Sequence, residues 1–251
     1  YRGIRVGDDV RSSAKDTYLL SAIEEMDLAF EEVVASLRVA VVSGSALAAL
    51  EERYDELRTR PIETPDGREE WQRLWFRLDG LAATFWRSAV TVIVNECRFW
   101  DRAAQLLSYV FFNIREFDHD VFPTVVRNLS KNVAKDEGLF REHGSWRVLR
   151  AYLDDQASGY EVLSSRRNAL THSVSIRASH LNTLRPHTGT ANTLERKRLA
   201  RARQDEPMRE IAFVLYHGSV ISRLRGDVIG LCLFGIESLG MRPQRFDKGL
   251  S

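Results

Sequence analysis

The sequence predicts an all-α fold, an up-and-down bundle of about five helices. Three observations predict it. Apolar residues recur at alternating three- and four-residue intervals over long stretches, no alternating apolar run is bounded by hairpin turns, and no repeat of fixed period occurs. With 251 residues, 44 % of them hydrophobic, the chain can bury a full core as one domain.

Residues 1–14 carry Gly, Ser and charge without periodicity and are expected to form an arm. From Lys15 the pattern turns helical: Leu19, Ile23, Met26, Phe30, Val33 and Leu37 make one apolar stripe. Ser43-Gly44-Ser45 is expected to break or bend this helix before Leu47, Leu50, Tyr54 and Leu57 resume the stripe. Residues 61–67 read as a turn, with Asp66 and Glu69 placed to cap the next helix. That helix carries Trp71, Leu74, Leu78, Leu81 and Phe85, then Phe99, Ala103, Leu106 and Val110, and is expected to reach about residue 114. Its aromatic stripe reads as core.

Asp118-His119-Asp120 reads as a solvated helix end, because the further His and Asp ligands of a metal phosphohydrolase are missing upstream. Residues 121–129 are expected to be a short helix and 130–144 a charged loop. Ser145 is the expected N-cap of a helix carrying Val148, Leu149 and Tyr152, with Asp154-Asp155 near its end. A new helix is expected at about 158–176, with Tyr160 and Leu163 on its apolar face. Residues 177–205, rich in Arg and holding Pro186 and Gly189, are expected to be a basic loop. Asp205-Glu206-Pro207 opens the last helix, striped by Met208, Ile211, Leu215, Ile221, Leu224, Val228 and Leu231, and Leu239-Gly240 with Pro243 stops it. One domain thus spans 15–241, and 242–251 form a tail.

Net charge is +1, so no global field draws the chain to nucleic acid or membrane, and anion binding has to come from local clustering. The basic residues are overwhelmingly Arg, which suits bidentate phosphate contacts. Cys97 and Cys232 lie in apolar helical patterns without metal-ligand spacing, as buried free thiols of a reducing compartment do. No apolar run is expected to reach the roughly 18 residues of a membrane span, the longest stretches being 89–94 and 228–236. The expected location is the cytoplasm, without membrane contact. Tyr1 rather than Met opens the sequence, which leaves room for an upstream segment, and no signal peptide is visible.

One stretch brings a strong cation, an amide and an imidazole within a few residues: Arg166-Arg167-Asn168-Ala169-Leu170-Thr171-His172. The form Arg-Asn-x-x-x-His is expected by composition only about 0.02 times in such a chain. Asn168 and His172 are four apart and share a helix face, so the amide can orient the ring. Arg167 and His172 are five apart, about 140° around an ideal helix. They reach one site only if the helix ends or distorts near Thr171, if the long Arg side chain reaches round, or if a second copy supplies the missing direction.

Residues 167–172 resemble the signature of the HEPN superfamily, all-helical domains many of which are metal-independent RNases. The resemblance covers six residues closely and the bundle plan loosely. It implies an endoribonuclease, of the kind found among toxins and antiviral defence effectors, that needs no metal or cofactor. In the mechanism it implies, His172 serves as general base on the ribose 2′-OH or general acid on the leaving 5′ oxygen. Arg167 holds the scissile phosphate, Asn168 orients the imidazole, and products carry a 2′,3′-cyclic phosphate. The implied partners are RNA, a second copy paired across the motif helix, and an antitoxin or larger defence complex. Arg166, Arg177, Arg196, Lys197 and Arg198 are the candidate backbone contacts, which would make binding salt-dependent. The alternative is a non-catalytic helical module for dimerisation or scaffolding. A third reading, nucleotidyl transfer from Gly218-Ser219, lacks the paired acids that should follow it.

Overall fold

The computed structural model describes residues 10–58, 65–112, 121–134, 137–172 and 193–238. Among these, the side chains of 10–18, 55, 57–58, 65–66, 171–172 and 193–206 lie outside the description. The described residues are 93 % helix, with no strand. Seven helices follow in order: α1 Val10–Arg58, α2 Pro65–Phe111, α3 Phe122–Asn132, α4 Gly138–Glu142, α5 Gly144–Asp154, α6 Tyr160–His172 and α7 Thr193–Ser238.

Two of these, α1 and α7, are longer than the sequence pattern suggested. α1 runs 49 residues without a break at Ser43-Gly44-Ser45. Ser43 stays helical by donating its hydroxyl back to the Val39 carbonyl (2.6 Å) and the Ala40 carbonyl (3.3 Å). Gly44 stays because its missing side chain is needed. A Cβ there would lie 2.5 Å from Ile211 Cδ1 and 2.7 Å from Phe85 Cε2. α2 starts at Pro65, where the fixed φ and absent N–H of proline suit a first helical turn, and Asp66 therefore falls inside the helix.

The chain divides into two compact units. One comprises Tyr1–Glu32, Asn95–Ser164 and Ser219–Ser251. Its core is aromatic: Trp100 lies against Phe99 (5.3 Å between centroids), Phe122 (4.5 Å) and Tyr152 (5.0 Å, stacked). Its helices are also tied by charge. Arg225 Nε donates to Asp27 Oδ1 at 2.8 Å while its guanidinium sits 4.9 Å from the Phe30 ring, and Arg98 pairs with Glu32 at 2.7 Å. Cys97 and Cys232 are both buried here and neither is in a disulfide, and burial pushes the Cys232 thiol up.

Three local expectations fail in this unit. Residues 138–142 are helical, not loop, because Phe140 is fully buried between Phe111 (5.3 Å) and Trp146 (5.0 Å). One buried aromatic anchors five residues that otherwise look solvated. Ser145 is not the N-cap of α5. That position is His143, and Ser145 instead donates to Asp227 Oδ1 on α7 at 2.7 Å. Trp146 takes the buried place expected of Val148, which is exposed.

The second unit comprises Val33–Val94 and Ser165–Gly218. Its core joins Leu47 and Tyr54 of α1, Leu74, Leu78, Ala82, Phe85, Trp86 and Ala89 of α2, and Ile211 of α7. Trp71 and Trp75 stack at 6.1 Å and close its edge against Tyr54. α7 begins at Thr193, so residues 193–203 are helical and not the basic loop expected, and Pro207 lies inside the helix. Charged, alanine-containing sequence such as Leu194-Glu195-Arg196-Lys197-Arg198-Leu199-Ala200 has good helix propensity, which the density of charge obscured. Met208 and Leu215, expected in the stripe, are exposed, while Val214 and His217 take buried places.

α1 also contains an 18-residue window of mean hydropathy 1.9, 28 % of it buried. By length and composition this passes for a membrane span, contrary to expectation. Core helices of folded domains pass the same test.

Candidate functional site

The motif lies on α6, and the turn before that helix sets where it begins. Asp155 accepts hydrogen bonds from the amides of Ala157 (2.9 Å) and Ser158 (3.1 Å) and from the Ser158 hydroxyl (2.5 Å). These donors, the Ser158 hydroxyl first, hold the Asp155 carboxyl below its ordinary value. Gly159 follows, its amide bonded to the Asp155 carbonyl at 2.9 Å. A Cβ at 159 would collide with the carbonyl oxygens of Tyr152 and Asp155. The turn thus needs glycine for close backbone approach, and α6 starts at the next residue.

Among the motif residues, Arg166 has the plainest environment. Its Nη2 donates to Glu210 Oε2 at 2.5 Å and its Nε to Glu210 Oε1 at 3.4 Å. Glu210 is buried on α7 and Arg166 is half-buried, so the guanidinium satisfies a carboxylate that water barely reaches. A residue read as a phosphate contact is thereby engaged within its own unit. Nothing local in the sequence pairs positions 44 apart, which is why Glu210 was not a candidate.

Arg167 is half-buried and Asn168 exposed, and Arg167 Nη2 donates to Asn168 Oδ1 at 3.4 Å. The backbone is helical through His172, with no break between Arg167 and His172. The divergence of about 140° between them therefore stands. Long-side-chain reach or a second copy remains as the way to one site. The His172 side chain lies outside the described residues.

The structure describes the other candidate backbone contacts only in part. Arg177 lies outside the described residues, as does Asp118-His119-Asp120. Arg196, Lys197 and Arg198 stand on consecutive positions in the first turns of α7, about 100° apart around it. Their side chains lie outside the described residues. Among the described residues no group of three His, Cys, Asp or Glu is placed to hold a metal ion.

His217 is a titratable group that sequence reasoning did not single out. It is buried on α7 between the rings of Phe213 (4.6 Å) and Tyr216 (5.1 Å), and burial pushes it down to about 4. It is neutral at pH 7. Its four-residue spacing from Phe213 is the one signal that placed both on a common face.

Comparison with known proteins found no matching family model, no matching curated protein and no matching solved structure.

Proposed function

We propose that the chain is a metal-independent endoribonuclease of the HEPN type that uses Arg167, Asn168 and His172. The observation that carries the reading is the Arg-Asn-x-x-x-His sequence itself, supported by its setting on one helix with an exposed amide and a half-buried guanidinium. In this reading His172 takes the proton from a ribose 2′-OH, or gives one to the departing 5′ oxygen. Arg167 holds the phosphate and offsets the charge that builds on it as the 2′ oxygen attacks. The bond from phosphorus to the 5′ oxygen breaks, leaving a 2′,3′-cyclic phosphate. Arg166, tied to Glu210, belongs to the scaffold of this site and not to its chemistry.

The test is cleavage of mixed RNA in EDTA by the wild-type chain, Arg167→Ala and His172→Ala. Cleavage by wild type alone, with cyclic-phosphate ends, is the expected result. Equal survival of RNA in all three overturns the reading and favours a non-catalytic helical module, to which the Arg166–Glu210 tie on the same helix would also belong.

A further inference from the structure

α1 carries two apolar stripes where a surface helix needs one. The first, Val33, Ala40, Leu47 and Tyr54, is buried. The second, Ala35, Val39, Val42, Ala46 and Ala49, keeps the spacing 4-3-4-3 on the other side of the helix. All five are exposed, Val42 by 70 % and Val39 by 50 %. Between residues 33 and 50 the only charge is Arg38. A heptad seam with Ala and Val in it, on a helix whose opposite side is already packed, lacks its covering element.

We infer that this seam pairs antiparallel with the same seam of a second copy of the chain. The order of residues is what selects a second copy. Read forwards, Val39, Val42, Ala46 and Ala49 give large, large, small, small at spacing 3-4-3. An antiparallel copy presents the reverse order at the same spacing. Val39 then meets Ala49 of the partner subunit, and Val42 meets Ala46 of the partner subunit. The two-fold axis repeats both contacts, so each of these four central layers sets one large residue against one small one. The same register brings Arg38 beside Glu52 of the partner subunit on the flank of the seam. Both residues are exposed, and neither has an ion-pair partner among the described residues. The pairing is therefore complementary in shape and in charge.

A lipid bilayer fits the stripe less well. Glu31 and Glu32 precede it and Glu51 and Glu52 follow it, with 18 residues between. A spanning helix would turn its whole circumference to lipid, but Val33, Ala40 and Leu47 within the same 18 residues are buried in the core. Acids on both sides also oppose an anionic membrane surface. The inference rests on α1 alone and is independent of the nuclease reading.

The experiment measures the mass of the full chain in solution by light scattering across micromolar concentrations. Wild type is expected at twice the 28.7 kDa of one chain. Val42→Glu, a change at an exposed position, is expected at the mass of one chain with unchanged helical circular dichroism. Arg38→Glu is expected to weaken the dimer about tenfold, and Arg38→Glu with Glu52→Arg to restore it. A monomeric wild type overturns the pairing, whether it stays free or floats with neutral phosphatidylcholine vesicles. A dimer that survives Val42→Glu overturns it in favour of another face, such as α6. A double variant that fails to recover overturns the antiparallel register.

Discussion

The Arg166 guanidinium grips the Glu210 carboxylate through two nitrogens, closing α6 onto α7 within one unit. Glu210 is the more deeply buried partner. Arg166→Ala removes the counter-charge of Glu210 and leaves a carboxylate away from water, so it should cost about 2 kcal/mol, discounted for the half-exposed arginine. The melting temperature should fall by about 4–8 °C. A residue whose sole role was to touch RNA phosphates would leave thermal stability unchanged, so a melting curve without RNA checks the assignment.

Gly159→Ala should destabilise by about 2 kcal/mol or more, because the colliding atoms are backbone carbonyls that cannot swing aside. The loss should appear in urea unfolding as a lower midpoint with an unchanged slope.

Burial of His217 makes stability depend on pH. Its folded value, about 4, lies below the ordinary 6.5, so the unfolded chain binds the proton first. The stability is fully present above pH 6.5 and is lost as pH falls from there towards 4. Melting temperature measured across this window should decline, and His217→Gln should flatten the decline. Asp155, also held low, should add a separate loss below about pH 3.8 as its folded value is crossed.

Ser145→Ala should cost about 1–2 kcal/mol through the lost bond to Asp227. Combined with Asp227→Ala, the two changes should cost clearly less than their sum, since they remove the same interaction. A capping role for Ser145 would instead give additive costs.

The stripes on α1 and α2 were legible because long helices repeat their apolar spacing many times: Leu19, Met26 and Val33, or Leu74, Leu78 and Phe85, fall on the buried side as the spacing requires. The turn ahead of α6 was anticipated only as the neighbourhood of Asp154-Asp155. What was not legible depends on distant partners. Ser145 looks like a cap until Asp227, 82 residues away, claims its hydroxyl. Phe140 alone does not announce a helix until Phe111 and Trp146 enclose it. The start of α7 was hidden because charge and a proline resemble a loop, although Arg, Lys and Ala are good helix formers. At the motif, the order of residues and the helical backbone were readable, but the engagement of Arg166 by Glu210 was not, since no local rule links them.

Gly44 carries a consequence for how this sequence can drift. Because the Phe85 ring and the Ile211 methyl occupy the place of its absent Cβ, position 44 is sterically coupled to both 85 and 211. A branch that acquires Ala at 44 has room for it only after both the aromatic at 85 and the side chain at 211 give way, so such changes should precede it.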